Sequence, residues 1–213
     1  MDNLFMELGE QGYTHVIGLF LSSGISGFWA NSQFLIEDHA KLKVAFHETK
    51  ITAAPMGATV RNVLHWSEQG MSFENILKKL EEQVENTTAY ILVDDLNHLV
   101  KGGRLSNGSA ILGNILSIKP ILHFNAEGKI VVFEKVRTEK KAMKRLVALA
   151  EDNREMELSI ILHTNAPEKA EAFKSQLEAQ GITVSSVVSL CAVIATHLVE
   201  GALVLGLTPK FTK

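Results

Sequence analysis

The sequence predicts an α/β protein of two lobes, because strand-like and helix-like segments alternate along it. An apolar run over 16–21 ends in serine and glycine, as expected for a strand covered on both faces. Over 52–69 the apolar residues recur at helical spacing before Gly70. Two extended runs flank the Gly-containing turn 125–128, which is typical of an antiparallel hairpin. We therefore expect a parallel, helix-covered sheet followed by a largely antiparallel sheet with helices.

The first lobe is predicted to run strand, helix, strand, helix. After the strand 16–21, a helix begins near Phe28 and a second strand covers 42–47. The helix 52–69 comes next, and Ser72 is a plausible N-cap for the helix that follows it. This order favours a parallel sheet.

The polar segment 85–88 marks the boundary between the lobes, which we place at 1–86 and 87–213. The last apolar segment, 191–207, is interpreted as a buried pair of strands. The other elements predicted in the second lobe are strands over 90–93, 118–124, 129–133, 158–163 and 182–188, a helix over 138–153, and a helix that Pro167 opens and Gly181 ends.

The composition limits the possible classes of function. The chain has 213 residues, 46% hydrophobic and 21% charged, and a net charge of −3, which offers no broad positive surface for nucleic acid. Cys191 is the single cysteine, which excludes an intramolecular disulfide. The N-terminus lacks signal-peptide features, and 191–207 is too short and polar to span a bilayer. We expect a cytoplasmic protein without stable membrane insertion.

The turn 22–27, Ser-Ser-Gly-Ile-Ser-Gly, is the first candidate site. A strand-to-helix turn directs backbone N–H groups to one point, and serine hydroxyls add donors, so the turn suits a carboxylate or phosphate. A capped turn without a ligand is the alternative interpretation. The spacing matches neither a P-loop, nor a dinucleotide fingerprint, nor a nucleophile elbow.

Two further segments carry candidate binding groups. Arg104 follows two glycines, which suits an anion clamp, although a solvated loop is the alternative. His197 lies within the apolar segment 191–207, where a histidine needs a polar partner. Asp94 and Asp95 are adjacent and are interpreted as structural. The histidines show no metal-binding spacing, so we assign neither a metal nor a cofactor.

Five short motifs occur along the chain, namely LSSGISG at 21–27, VDDL at 93–96, KGGRLS at 101–106, IKPI at 118–121 and KVRT at 135–138. Their order and spacing closely resemble the DegV family. The characterised members of that family are fatty-acid-binding subunits of bacterial fatty acid kinase. The resemblance extends over about 11–206, nearly the whole chain.

The resemblance implies a carrier that holds one long-chain fatty acid between its lobes. Ser26 and His197, with Ser23 in the same turn as Ser26, would bind the carboxylate. Arg104 would lie near the head group and assist presentation to the kinase. The acyl chain would occupy an apolar tunnel made largely by 87–213. The catalytic subunit of fatty acid kinase would supply the ATP chemistry, and the carrier itself would catalyse nothing.

The chain departs from the family pattern at three places. Family members begin with a further segment whose T-S-Q-P threonine also contacts the carboxylate, so the first lobe is expected to be incomplete and to expose an apolar strand edge. Phe28 stands where the family has threonine. The family's H-T-G-x-G-A motif reads H-L-V-E-G-A over 197–202, and Glu200 would oppose a bound carboxylate if it pointed inward.

Two alternatives from other classes remain. Ser26, Asp94 or Asp95, and His197 follow the Ser…Asp…His order of α/β-hydrolases, although no nucleophile elbow accompanies them. The other alternative is a truncated structural module that binds no lipid.

Overall fold

The computed structural model describes residues 2–36, 42–106, 118–156 and 158–209. Within these ranges the chain forms a small sheet and a large sheet, with helices between and around them. The elements in chain order are α1 (Asp2–Glu10), β1 (His15–Phe20), α2 (Phe28–Ser32), a 3-10 helix (Gln33–Ile36), β2 (Lys43–Glu48), α3 (Ala53–Glu68), α4 (Phe73–Glu85), β3 (Thr88–Leu92), α5 (Leu96–Lys101), β4 (Ile121–Phe124), β5 (Ile130–Glu134), α6 (Glu139–Asp152), β6 (Leu158–His163), α7 (Pro167–Ala179), β7 (Val184–Ser189), α8 (Ala192–Leu198) and β8 (Leu203–Thr208).

The small sheet pairs β1 and β2 in parallel, and Phe20 lies opposite Glu48 at their carboxyl ends. The chain leaves both strands at the same edge. The two turns that follow are joined there, because the backbone N–H of Ser22 donates to the carbonyl of Ile51 at 3.0 Å. In parallel sheets this edge is where ligands usually bind.

Helices α3 and α4 cover the small sheet, which confirms the predicted parallel, helix-covered arrangement. Their apolar faces meet in one cluster that also includes Ile17 and Leu19 of β1. Ser72 is the N-cap of α4, since its side chain accepts a hydrogen bond from the backbone N–H of Asn75. The buried helical residues of the cluster are Val63, Trp66, Ile76, Leu80 and Val84.

The large sheet has the strand order β5-β4-β3-β8-β6-β7 among the described residues. Only the β6–β7 pair is parallel there, so the predicted, largely antiparallel sheet is confirmed. Successive residues of a strand face opposite sides. In β3, Leu92 faces the core beneath α6 and α7, whereas Ile91 belongs to the cluster on the other face.

A series of buried, hydrogen-bonded polar side chains joins the helices of the first half to the large sheet. Asn62 of α3 donates its side-chain amide to Gln83 of α4 at 2.7 Å, and Gln83 donates to Thr208 of β8 at 2.7 Å. Helix α3 also packs directly against β6 and β8. One helix of the first half thus contacts strands of the second half. The division of the chain into lobes 1–86 and 87–213 stays a prediction.

The interpretation of 191–207 as a pair of strands is wrong in its first half. Helix α8 occupies that half, and only β8 is a strand. The carbonyl of Cys191 accepts hydrogen bonds from the N–H groups of Ile194 and Ala195 and so starts the helix. A short, mostly apolar segment carries no clear period that distinguishes a buried strand from a buried helix. His197 consequently lies in the last turn of a helix.

In the described ranges, no helix has the length and apolar character needed to cross a membrane.

Candidate ligand-binding site

A cavity of about 190 Å³ lies between one face of the large sheet, helix α8 and the turns that follow β1 and β2. Its wall is almost entirely apolar. Four lining residues have polar or charged side chains, namely Ser26, Thr52, Arg104 and His197. The apolar lining includes Ile25, Ile91, Phe124, Leu162, Ile194 and Val204.

Ser26 reaches the cavity from the turn between β1 and α2. The carbonyl of Ser22 accepts the backbone N–H groups of Ile25 at 3.2 Å and of Ser26 at 3.1 Å, which closes the turn. The Ser26 hydroxyl oxygen accepts the N–H of Phe28 at 3.3 Å, where α2 begins. No acceptor for the hydroxyl hydrogen occurs among the described residues, so it can donate to a ligand. The predicted strand-to-helix turn is confirmed.

Arg104 reaches the cavity from the loop after α5. Its Nε donates to the carbonyl of Ile25 at 3.3 Å, and one terminal nitrogen donates to the carbonyl of Gly102 at 2.9 Å. The first glycine of the pair that precedes Arg104 has a spatial reason, because a Cβ on Gly102 would lie only 3.1 Å from Nδ1 of His197. The two-glycine motif therefore lets this imidazole approach the backbone that carries Arg104.

His197 reaches the cavity from the last turn of α8. Burial lowers the pKa of its imidazole below the usual histidine value, and the nearby charges of Arg104 and His98 lower it further. The same turn is tied to α5, because Nε2 of His98 lies 2.7 Å from the carbonyl of Thr196 and donates to it. A neutral imidazole in this place offers one donor and one acceptor.

Ser26, Arg104 and His197 therefore line the same cavity, and Arg104 relates the other two. Arg104 is bonded to the residue before Ser26, and its charge acts on the His197 imidazole. One fixed cation, one hydroxyl and one imidazole next to an apolar space suit a ligand with an acidic head and a hydrocarbon body.

Ser23, by contrast, is not brought to the cavity. It is exposed, and its backbone N–H donates to Oε1 of Glu48 at 2.6 Å. The tight turn that presents Ser26 leaves Ser23 on the solvent side. The expectation that Ser23 shares the ligand with Ser26 and His197 has no support in this geometry.

Thr52 is a lining residue that the sequence reasoning missed. It is the N-cap residue of α3, yet its side chain makes no capping hydrogen bond. It follows β2 at the edge where the turn after β1 also lies. The rule that ligands bind at the carboxyl ends of parallel strands would have singled it out.

Comparison with known proteins decides the family. The DegV family model, described as an uncharacterised protein family, matches residues 1–210. The chain belongs to the DegV family. A DegV domain-containing protein from Streptococcus pyogenes is 60% identical over 214 residues, which is 99% of this chain and 76% of that relative.

Two solved DegV structures share the fold. A fatty acid binding DegV family protein from Streptococcus agalactiae has a TM-score of 0.92 and 53% identity, over 99% of this chain and 75% of its own. DegV from Bacillus subtilis, also described as a fatty acid binding protein, has a TM-score of 0.86 and 36% identity, over 98% of this chain and 75% of its own.

Two departures from the DegV motifs lie away from the cavity. Glu200 is exposed, and its Oε1 accepts a hydrogen bond from the side-chain amide of Asn165 at 3.0 Å. Phe28 is 53% exposed, and its ring packs 5.5 Å from that of Phe20. Neither residue is among those that line the cavity. The inward negative charge considered for Glu200 is thus not found.

The two adjacent aspartates of this DegV chain have structural contacts, as predicted. Asp94 forms ion pairs with Lys119 at 3.4 Å and Lys169 at 3.3 Å. Asp95 caps α5 by accepting the backbone N–H of Asn97 at 2.9 Å. Among the described residues neither carboxylate is hydrogen-bonded to His197, whose pKa is lowered by burial and by the charges of Arg104 and His98. A serine-hydrolase triad needs the opposite arrangement, with a carboxylate on the imidazole.

Proposed function

We propose that this DegV-family protein binds a long-chain fatty acid, with the acyl chain in the apolar cavity and the carboxylate at Ser26, Arg104 and His197. The observation that carries the proposal is that these three side chains line one cavity whose wall is otherwise nearly apolar, with Arg104 bonded to the residue before Ser26 and its charge acting on His197. The class of ligand is supported by the two solved relatives described as fatty acid binding proteins.

The acyl chain supplies most of the affinity. Burying a chain of about 16 carbons, at about 0.8 kcal/mol for each CH₂, releases on the order of 10 kcal/mol. Most lining residues come from 87–213, which supports the expectation that this part of the chain contains the larger share of the acyl site. The apolar wall accordingly determines how tightly the ligand binds.

The three polar side chains determine how the ligand is oriented. Taking a carboxylate out of water is costly unless it is paired and hydrogen-bonded. The Ser26 hydroxyl and the His197 ring can each donate one hydrogen bond, and the Arg104 guanidinium supplies a charge that is never lost. The acid head therefore has one favourable place in the cavity.

We further propose that the protein acts as a non-catalytic carrier in the cytoplasm. It would present the bound acid to the catalytic subunit of fatty acid kinase, which uses ATP to form the acyl phosphate. Arg104 lies beside the carboxylate site, where it would assist this transfer. The carrier would need no cofactor and no metal ion.

Native mass spectrometry of the protein purified from bacteria tests the proposal. We expect co-purified fatty acid, and we expect delipidated protein to bind added palmitate in a saturable way. Losing a charge-assisted hydrogen bond costs about 1.5–3 kcal/mol, so Ser26→Ala and His197→Ala should each weaken binding roughly 10- to 100-fold.

The matched control is Ser175→Ala, which removes a hydroxyl from the exposed face of α7, where it donates to the carbonyl of Glu171. This variant should bind palmitate like the unchanged protein. Circular dichroism confirms that each variant is folded. Equal affinity in all three variants would refute the placement of the carboxylate.

A further inference from the structure

The turn that presents Ser26 is held in place by the opposite half of the chain. The Ser22 side chain is fully buried, and its hydroxyl donates to the carbonyl of Gly128 at 2.6 Å, across 106 positions of sequence. Gly128 belongs to the hairpin turn between β4 and β5. The same hydroxyl oxygen accepts the backbone N–H of Gly24 at 3.2 Å.

The two backbones meet without space for side chains. A Cβ on Gly24 would lie 2.3 Å from the Gly128 carbonyl oxygen, and a Cβ on Gly128 would lie 2.1 Å from the Ser22 hydroxyl. Such distances are far inside van der Waals contact. The glycine at 24 therefore permits a direct contact between the turn and the hairpin.

The backbone of Ser22 is hydrogen-bonded to that of Ser26 and so connects the hairpin contact to Ser26. Its carbonyl accepts the Ser26 N–H at 3.1 Å, and its own N–H donates to the carbonyl of Ile51 at 3.0 Å. One buried residue thus joins the hairpin, the turn after β2 and the residue that faces the cavity. A displacement of Ser22 would move the Ser26 hydroxyl.

We infer that Ser22 is a positioning residue for the ligand carboxylate and that it acts through Ser26. This inference rests on the proposed function, in which Ser26 bonds the carboxylate. A binding group must be held within about 0.5 Å of its working position by buried contacts around it. The hydrogen bond from Ser22 to Gly128 provides such a contact for Ser26.

A role limited to folding stability makes a different prediction from a role in positioning. A positioning residue affects only the ligand that uses Ser26, and its effect disappears once the Ser26 hydroxyl is gone. We therefore compare palmitate with the alcohol of the same chain length, which lacks the carboxylate. Calorimetric titrations would use Ser22→Ala, Ser26→Ala and the double variant.

We expect Ser22→Ala to weaken palmitate binding about tenfold, which is an equilibrium change typical of one misplaced hydrogen bond. The double variant should bind palmitate as Ser26→Ala does, and the alcohol should bind all three variants with affinities within about twofold of the unchanged protein. Equal loss for acid and alcohol, or independent losses in the double variant, would overturn the inference.

A second pair of variants perturbs the contact from the other side. Gly128→Ala places a methyl group against the Ser22 hydroxyl, at a φ of +71°. Gly181→Ala has nearly the same backbone strain, at a φ of +72°, but a Cβ there meets nothing within 4 Å. We expect Gly128→Ala alone to lose palmitate affinity selectively. Equal palmitate affinity in the two glycine variants would also overturn the inference.

Failure of the proposed function gives a separate result. If the unchanged protein does not bind palmitate, or if Ser26→Ala binds it normally, the carboxylate site is wrong and the role of Ser22 is wrong with it. If Ser26→Ala weakens binding while Ser22→Ala does not, only the role of Ser22 is wrong.

Discussion

The Arg104 guanidinium is bonded to the carbonyl of Ile25, a residue 79 positions earlier in the chain, at 3.3 Å. Ile25 immediately precedes Ser26, so this bond sets a cation of the second half beside a hydroxyl of the first half. A second bond, to the carbonyl of Gly102 at 2.9 Å, restrains the other end of the guanidinium. The proposed carboxylate site therefore forms only when the two halves are packed together.

Palmitate should bind more tightly at lower pH. In the free protein, burial and the charges of Arg104 and His98 lower the pKa of His197, so the imidazole is neutral near pH 7. A bound carboxylate would raise that pKa, because it favours the imidazolium. Between the two pKa values the complex holds more protons than the free protein, and affinity rises as the pH falls, levelling off below the pKa of the free protein.

Titrations at several pH values between about 8 and 5 would measure this dependence. His197→Gln keeps a hydrogen-bonding side chain that does not titrate, so its affinity should vary less with pH. The ionisation of the fatty acid itself is common to both proteins. A pH dependence that is the same in His197→Gln and in the unchanged protein would contradict this role of His197.

Filling the cavity should exclude the lipid without unfolding the protein. Ala89 is buried in β3 and lines the cavity. Ala89→Leu would place three more carbons in open space, and we expect little or no co-purified fatty acid in its native mass spectrum. Ala150→Leu makes the same change in the packed core on the other sheet face. Overpacking there should cost about 1–3 kcal/mol of stability and leave lipid binding intact.

Gly201→Ala should destabilise the protein through a contact with Asp94. Gly201 has a φ of +89°, and a Cβ on it would lie 2.2 Å from Oδ2 of Asp94. Gly12 has the same φ, but a Cβ there meets nothing within 4 Å. Urea denaturation should show a loss of about 1 kcal/mol for Gly12→Ala and about 2–3 kcal/mol for Gly201→Ala. Equal losses would mean that the Asp94 contact is unimportant.

Val199→Gly should stabilise the protein. Val199 has a φ of +61°, a backbone conformation that is costly for a β-branched residue. The DegV motif has glycine at this position, which follows α8 and His197. Relief of strain should exceed the entropic cost of the new glycine by about 1 kcal/mol. Val199→Ala keeps the Cβ and should bring no such gain, as thermal unfolding of both variants would show.

The sequence by itself determined most of the secondary structure. Helical spacing located α3 and α4, including the Ser72 cap, and the turn at 125–128 indicated the hairpin of β4 and β5. These features depend on neighbours a few residues apart, which a single sequence displays directly. The order of five motifs was sufficient to indicate the DegV family, and it singled out Ser26, Arg104 and His197.

Only the tertiary structure decided which of these residues meet and what holds them. It placed Ser23 in solvent, brought Thr52 to the cavity and revealed the bond between Ser22 and Gly128. It also showed that α8 is a helix, whereas a short, mostly apolar segment is compatible with either a helix or a strand. Contacts between residues about 100 positions apart depend on how sheets and helices pack, and no local period in the sequence records that packing.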